Sequence, residues 1–175
     1  MNISELRQKL NESHLKFIST IRNVSDADFT KSVNQKWTAG QQLEHIIKSV
    51  SPVNQAFGLP GFVLKLLFGK ANRASRTYDQ LVEKYHSKLK TGGKAPDRFA
   101  PAPITIEQRE DRIKKLEKLT DSLNRRLAGF SESQLEKFIL PHPLLGKLTL
   151  REMMYFTIYH AGHHEKQVID NLITS

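Results

Sequence analysis

The feature that most constrains the fold is a helix start signal that occurs four times along the chain. In each case a capping residue is followed three positions later by Glu or Gln, a pairing that marks the N-terminus of a helix. Apolar side chains then recur every three or four positions over roughly 20 residues, which indicates one buried face. The pairs are Asn2 and Glu5, Thr38 and Gln41, Thr105 and Gln108, and Thr149 and Glu152. This pattern predicts an all-α four-helix bundle.

The segment between the second and third main helices, residues 58–103, has a different character. It contains repeated Gly and Pro, and one shorter amphipathic stretch from Tyr78 to Leu89 predicts an additional short helix. A structureless connection of this length is unusual in a compact domain, so we expect it to pack over one end or side of the bundle. The last connector, LPHPLLGKLT, shows no alternation typical of a strand. We therefore predict a single domain, residues 1–175, with a long crossover.

Several classes of protein are excluded or disfavoured by composition. The chain has no cysteine, which rules out disulfides, thiolate zinc sites and cysteine nucleophiles. The N-terminal residues lack an apolar stretch of signal-peptide length, so we expect a cytoplasmic protein. The longest apolar run, residues 61–69, is too short for a transmembrane segment. We expect this run to be buried against the bundle.

The positive charge is concentrated in the middle of the chain. The net charge is +9, and residues 61–100 hold nine Lys or Arg against three acidic residues. Such an excess attracts anionic partners, although a solvated basic face is the simpler interpretation. Because the basic residues show no alignment on one helix face and no interleaved aromatic residues, we predict no specific nucleic-acid binding. Binding to nucleic acid or to a membrane surface through this segment is the third of our functional hypotheses.

Histidines near the C-terminus point to chemistry. The stretch TIYHAGHHEKQV contains three of the 7 histidines of the chain, His160, His163 and His164. In a helix, His160 and His164 lie one turn apart at the edge of the apolar face, where the small Thr157 and Ala161 leave room. Two imidazoles in this arrangement suit a divalent ion, yet a pair with this spacing also arises by chance.

A two-histidine site is incomplete, because catalytic zinc generally takes three protein ligands. His45 lies on the polar side of the second helix, and this position suits either a polar cleft or an ordinary surface. The spacing of the residues does not choose among the candidates for the third ligand. Those candidates are His14, His45, His86, His142 and Glu44.

Two segments, KWTAGQQLEHIIKS and GKLTLREMMYFTIYHAGHHEKQV, together resemble the DinB/YfiT-like superfamily of small four-helix bundles. Members of that superfamily bind a divalent metal, usually zinc or nickel, through one histidine of the second helix and two of the last. The resemblance therefore implies His45, His160 and His164 as metal ligands. It places Gln167 next to the site, and Gln41 is a further candidate for the pocket.

The resemblance also implies a class of function. Relatives include metal-dependent hydrolases and transferases that move a group onto a low-molecular-weight thiol, so we expect a metal-dependent enzyme of one of these types. Residues 58–103 would help to shape the pocket, and their positive charge would suit an anionic thiol or another small-molecule substrate. The alternative is a metal-binding bundle that acts in a stress response or by interaction, without catalysis. A homodimer is possible in either case.

No general base is evident in the sequence. Glu44 and Glu165 are adjacent to implied ligands, but neighbours on a helix point in different directions. We interpret His163 as a flanking residue and Trp37 as a packing anchor at the entrance of its helix. The remaining histidines are expected away from the site: His14 as a satisfied or partly exposed residue at the bundle edge, and His86 and His142 at the periphery.

Overall fold

Long helices form the framework of the protein in a computed structural model, which describes residues 1–94 and 96–173. In chain order the elements are α1 (Ile3–Asn23), α2 (Asp26–Thr30), α3 (Ala39–Ala56), α4 (Gly61–Phe68), α5 (Tyr78–Lys90), α6 (Arg109–Leu127), α7 (Glu132–Lys137), β1 (Ile139–His142), β2 (Gly146–Thr149) and α8 (Leu150–Ile173). The four long helices α1, α3, α6 and α8 confirm the predicted all-α four-helix bundle.

Capping boxes form at all four predicted helix starts. At α8, for example, the Thr149 hydroxyl accepts from the backbone N–H of Glu152 at 3.1 Å, and the Glu152 carboxylate accepts from the Thr149 N–H at 2.9 Å. The box at Thr105 precedes a short 3-10 turn, after which α6 begins. Helix α3 continues through Pro52 to Ala56.

The bundle places α3 next to α8. Helix α1 packs mainly on α8 and α6, and α3 packs mainly on α6 and α8, so α1 and α3 lie across the bundle from each other. Fully buried side chains from all four helices close the core between them; they include Leu10, Phe17, Leu43, Leu116 and Met154. As a result, the helix that carries His45 is a direct neighbour of the helix that carries the C-terminal histidines.

The described part of the crossover contains two α-helices and a short 3-10 helix, Asp97–Phe99, where the sequence predicted one helix. Helix α5 corresponds to the prediction and packs on α8, whereas α4 was not predicted and packs on β1. The expectation that residues 61–69 are buried was wrong for most of α4, because a short helix on the surface can bury only one face. Leu64 is fully buried, but Phe62, Leu66 and Leu67 are 74%, 81% and 60% exposed. Among the described residues, no helix is long and apolar enough to cross a membrane.

A β-hairpin occupies the last connector, where we predicted no strand. Strands β1 and β2 pair antiparallel, with Ile139 opposite Thr149 and His142 opposite Gly146. Gly146 has a φ of +77°, which suits glycine at the tight turn. The two prolines of the connector hide the alternation that would otherwise identify a strand.

Glu152 anchors the crossover to the start of α8. Its side chain is fully buried, and its carboxylate accepts hydrogen bonds from the Arg73 guanidinium at 2.7 and 2.8 Å and from the Arg76 backbone N–H at 2.8 Å. Burial alone would raise the pKa of Glu152, but these hydrogen bonds hold it below the ordinary value. The ionised carboxylate thus ties the segment before α5 to the helix that carries His160 and His164.

Candidate metal centre

Three histidines from two neighbouring helices meet at one point. His45 comes from α3, while His160 and His164 come from successive turns of α8, and each is only 4–5% exposed. The Nε2 atom of His160 lies 3.3 Å from Nε2 of His45 and 2.9 Å from Nε2 of His164. Among the described residues, these three form the group whose ligand atoms, all within 4.8 Å of one another, could hold a metal ion.

Hydrogen bonds on the far side of two rings determine which nitrogen faces the centre. Nδ1 of His45 donates to the backbone carbonyl of Phe99 at 2.8 Å, and Nδ1 of His164 donates to the side-chain carbonyl of Gln42. Since a carbonyl oxygen can only accept, both rings carry their proton on Nδ1 and present the Nε2 lone pair to the centre. Histidines that bind metals are usually oriented by partners of this kind.

The donor set fits a divalent cation. Nε2 of His160 can donate a hydrogen bond to only one of its two neighbours, so at least one buried Nε2 lone pair receives no hydrogen bond from the other two rings. A cation bound by all three nitrogens supplies the missing partner. Zinc–nitrogen bonds of about 2.0–2.1 Å place the ligand nitrogens of a tetrahedral site about 3.3 Å apart, close to the separations of the Nε2 pairs given above.

The electrostatic environment favours neutral imidazoles. Burial lowers the pKa of His160 and His164 well below the ordinary value, and the proximity of the other histidines lowers both further. Burial also lowers the pKa of His45, against the opposing effect of its hydrogen bond to Phe99. Neutral imidazole is the form that binds a metal, so the group is ready to bind near neutral pH.

Aromatic rings surround the three histidines. The ring of Trp37 lies 4.8 Å from that of His45 and 6.2 Å from that of His164, measured between centroids. Phe156 stacks on His160 at 4.7 Å, and Tyr85 meets it edge-on at 6.3 Å. Burial raises the pKa of Tyr85 to about 12, so its phenol stays protonated. These rings pack against the imidazoles and contribute apolar surface to the wall of the cavity beside them.

The histidines form part of the wall of a cavity of about 830 Å³, a volume typical of small-molecule sites. The wall is mostly apolar, and its charged members among the described residues are Lys36, Arg98 and Asp170. The crossover contributes to this wall, as we expected for residues 58–103. Its lining side chains are Phe68, Tyr85, Leu89, Pro96, Arg98 and Phe99.

The two glutamines that we expected near the site, Gln167 and Gln41, lie in different places. Gln167 lines the cavity and lies 3.0 Å from the flanking His163, measured from Nε2 to Nε2. Gln41 instead belongs to the capping box of α3, where its side chain accepts from the Thr38 N–H at 3.0 Å, and it is not part of the cavity wall. Gln42 also contacts a histidine of the group, through His164, and was not predicted from the sequence. Its position three residues before His45, on the same side of α3, was the available signal. A side-chain hydrogen bond from Gln167 acts on the same His164 ring and raises the pKa of His164 against the effect of burial.

Two expectations about histidines outside the group were wrong. For His14 the expected edge position was wrong, because the residue is 1% exposed in the interior of the bundle. Its Nδ1 donates to the Leu10 carbonyl at 2.9 Å, while its buried Nε2 has no hydrogen-bond partner among the described residues, so the ring is satisfied on one side only. His142 lines the cavity, with its ring 4.2 Å from that of Phe156, because the unexpected hairpin brings it there. His86 is exposed and contacts the Tyr159 hydroxyl at 2.7 Å, in agreement with a peripheral position.

Other residues near the group have clear structural partners. Glu44 points away to Arg112, at 3.6 Å, as we expected from its place beside His45. Glu165 points away to Thr20 and Lys16, at 3.0 and 3.4 Å. Trp37 is more than a packing anchor at a helix entrance, because it lines the cavity and contacts two of the three imidazole rings.

Comparisons with known proteins agree on the family and the fold. The family model described as the DinB superfamily matches residues 21–168. Among solved structures, the chain is similar to YfiT from Bacillus subtilis, described as a probable metal-dependent hydrolase with an unusual four-helix bundle topology. The TM-score is 0.61 at 18% sequence identity, over 98% of this chain and 86% of that one, a likeness that concerns the fold. No curated protein matches the chain in sequence.

Proposed function

Because the chain belongs to the DinB superfamily, we propose that it is a metal-dependent hydrolase in which His45, His160 and His164 hold a divalent ion. The observation that carries this proposal is the convergence of three buried Nε2 atoms, two of them with a fixed lone pair. Imidazole ligands suit zinc and nickel, which we propose as the metal. The description of YfiT as a probable metal-dependent hydrolase supports the reaction class.

The proposed metal would supply a familiar chemistry. A divalent ion with three neutral imidazole ligands keeps its full charge and an open position, where it lowers the pKa of a bound water and polarises a substrate carbonyl. The substrate would be a small molecule with a carboxylic ester or amide bond. In the hydrolysis of an ester, the oxygen of water forms a bond to the carbonyl carbon, the bond to the alcohol oxygen breaks, and the products are an acid and an alcohol.

Residues of this chain would position the reacting groups. Phe99 and Gln42 hold the rings of His45 and His164 in the required tautomer. Trp37 and Phe156 pack against His45 and His160, and would help to displace water when a substrate fills the cavity. The Tyr85 ring lies against His160, and its protonated hydroxyl is available to donate a hydrogen bond to a substrate oxygen.

A second candidate, transfer of a group onto a low-molecular-weight thiol, has one observation in its favour. Lys36 and Arg98 both contribute to the cavity wall against one acidic residue, Asp170, and this excess of positive charge favours an anionic ligand such as a thiol that carries carboxylates. The same three histidines would then hold the metal, which would lower the pKa of a bound thiol. Hydrolysis remains our first proposal, because it needs no second substrate in the cavity.

Assays on metal-loaded protein test the proposal. The wild type, loaded with zinc or nickel, should hydrolyse members of a panel of esters and amides, and His160→Ala should lose this activity while it keeps its helical content. His86→Ala, which removes an exposed histidine, is the matched control. Transfer to a thiol without hydrolysis would favour the second candidate. Stabilisation by metal without consumption of any substrate would instead favour a non-catalytic metal-binding bundle.

A further inference from the structure

The cavity continues beyond the histidines into the groove between α3 and α8. On α3 its lining runs from His45 to residues near the end of the helix, and on α8 it runs from His160 back toward the start. At 1.5 Å per residue, Val53 lies about 12 Å along α3 from His45, and Met153 lies about 10 Å along α8 from His160. We call this part of the cavity the apolar arm. Its lining residues are Val53, Ala56, Phe68, Leu140 and Met153.

The two ends of the cavity differ in chemistry. The five residues that define the apolar arm are all aliphatic or aromatic, and the polar lining residues Ser49 and Thr157 lie about one turn from His45 and His160, at the near end of the arm. The opposite end, near the start of α3 and the end of α8, has polar and charged side chains. They are Gln35, Lys36, Gln167, Asp170 and Asn171. The histidine group lies between these ends, so a bound molecule faces the group with one apolar side and one polar side.

We propose that the substrate carries an elongated apolar group, an acyl or alkyl chain, which occupies the apolar arm while the bond to be hydrolysed lies beside the three histidines. This inference rests on the proposed function for the identity of the reaction, but the binding of the chain itself requires no turnover. An apolar group that packs against the wall of the arm is removed from water there, and each methylene that becomes buried raises the affinity about fourfold. The polar end of the cavity would receive the polar remainder of the substrate.

The single tryptophan of the chain provides a direct readout. Trp37 lines the cavity beside His45 and His164, so its fluorescence reports on occupation of the cavity. Titration with butanoate, octanoate and dodecanoate should give affinities that rise steeply with chain length. The same rise is expected in His160→Ala, because the apolar arm does not include the histidines.

A substitution that fills the arm tests the location. In Ala56→Phe, the increase in affinity from butanoate to dodecanoate should be abolished, and the weak binding of butanoate should be unchanged. Ala27→Phe, the same change at an exposed position of α2, is the control. Val53→Leu is a second, smaller change in the arm that should reduce the gain in part, in case Ala56→Phe fails to fold.

The possible outcomes separate this inference from the proposed function. Affinity independent of chain length, or a gain that survives in Ala56→Phe, would overturn the apolar arm as the binding site, even if the protein hydrolyses esters. A gain that is lost in Ala56→Phe, in a protein that hydrolyses no ester, would support the arm and contradict the hydrolase proposal.

A second and independent observation concerns the surface of α4. Phe62 and Leu66 lie one turn apart on its exposed side, with Leu67 also exposed. Lysines lie near this face: Lys65 is exposed within the helix and Lys70 just after it. Lys137 lies 5.9 Å from the ring of Phe138, against which the first residue of α4, Gly61, is packed. Residues 57–78 contain no acidic side chain.

We infer that this face of α4 docks on an anionic lipid surface. Exposed apolar residues on a helix can enter the interface of a bilayer, and neighbouring lysines are attracted to anionic headgroups. The charge distinguishes this partner from a second copy of the chain, because two copies with a net charge of +9 and three lysines beside the patch would repel each other.

Vesicle binding tests this second inference. The wild type should sediment with vesicles of phosphatidylcholine and phosphatidylserine, but not with phosphatidylcholine alone, and should stay partly bound at moderately raised salt because apolar contacts are not screened. The double variant Phe62→Ser and Leu66→Ser should lose this binding, whereas Leu15→Ser, at an exposed leucine of α1, should keep it. Equal binding by the double variant would overturn the inference, as would a dimer of the wild type that the double variant converts to a monomer.

Discussion

Nδ1 of His164 donates a hydrogen bond to the side-chain carbonyl of Gln42, one turn of α3 before His45. This contact links the two helices of the candidate site through a residue that is not itself a proposed ligand. It fixes the tautomer of His164, so that its Nε2 lone pair faces His45 and His160. Helix α3 therefore contributes to the candidate metal site in two ways: His45 is a proposed ligand, and Gln42 orients the His164 ring.

Replacement of Gln42 should weaken metal binding without abolishing it. In Gln42→Leu the Nδ1 of His164 loses the carbonyl oxygen that accepts its hydrogen bond. Loss of such an outer hydrogen bond typically costs about 10–100-fold in metal affinity. Competition with a chelator of known affinity measures the change. Gln41→Leu is the matched control, since the Gln41 side chain caps α3 and lies outside the cavity wall. A loss of affinity in Gln41→Leu, with none in Gln42→Leu, would contradict the assignment.

The buried His14 should make the fold sensitive to acid. Burial lowers the pKa of His14 from 6.5 to about 4, so the folded protein stays unprotonated there while the unfolded chain takes up a proton. Stability is therefore unaffected above pH 6.5 and is lost as the pH falls from 6.5 toward 4. The loss of stability caused by His14 over that interval is about 3 kcal/mol, and it should be absent in His14→Leu.

Urea unfolding at neutral pH and near pH 4 measures the effect. The stability of His14→Leu relative to the wild type should rise as the pH falls. His86→Leu is the control for removal of an exposed histidine. A difference between the wild type and His14→Leu that does not change with pH would contradict a buried, neutral His14.

The Glu152 carboxylate should hold the crossover against α8. Glu152→Gln keeps the size of the side chain and removes the charge that Arg73 and Arg76 bind, so we expect a loss of about 1–3 kcal/mol at neutral pH. Because the folded-state pKa of Glu152 is lowered, its stabilisation is present above the ordinary carboxyl pKa and disappears as the pH falls through the folded-state value. The loss in Glu152→Gln should therefore diminish in acid.

The prediction is tested by measuring the free energy of unfolding of Glu152→Gln at several pH values, together with the rate of limited proteolysis in the crossover. Glu136→Gln offers a comparison, because that partly exposed carboxylate binds Ser75 and Arg151 in the same region. A loss in Glu152→Gln that is the same at neutral and acid pH would show that the charge is not what stabilises the contact.

Local signals made most of the fold predictable. The four helix starts were evident because a capping box is a contact between residues three positions apart, which the sequence displays directly. The hairpin was not evident, since Pro141 and Pro143 interrupt the apolar pattern and the pairing of β1 with β2 shows only in three dimensions. The exposed face of α4 was not predicted for a related reason: an apolar run in a sequence does not show how many of its side chains pack against the rest of the protein.

The candidate site was predictable only in part. The spacing of His160 and His164 indicated a pair on one face of a helix, but the choice of His45 as their partner came from resemblance, because the packing of α3 on α8 is a tertiary contact. Neighbours on a helix differ by about 100° in direction, and this separates Gln42, which contacts His164, from Gln41, which caps the helix. The Phe99 carbonyl that holds His45 is a backbone atom, and no side-chain pattern indicates it.

Elemental analysis of protein purified without a metal-affinity tag tests the central claim most directly, that three histidines hold one metal ion. The wild type and the control His86→Ala should each contain about one equivalent of zinc, nickel or a similar divalent ion, and His45→Ala and His160→Ala should each lose it while they remain helical. Wild-type protein that contains no metal and takes none up when zinc or nickel is added would contradict the claim, as would full metal content in both variants.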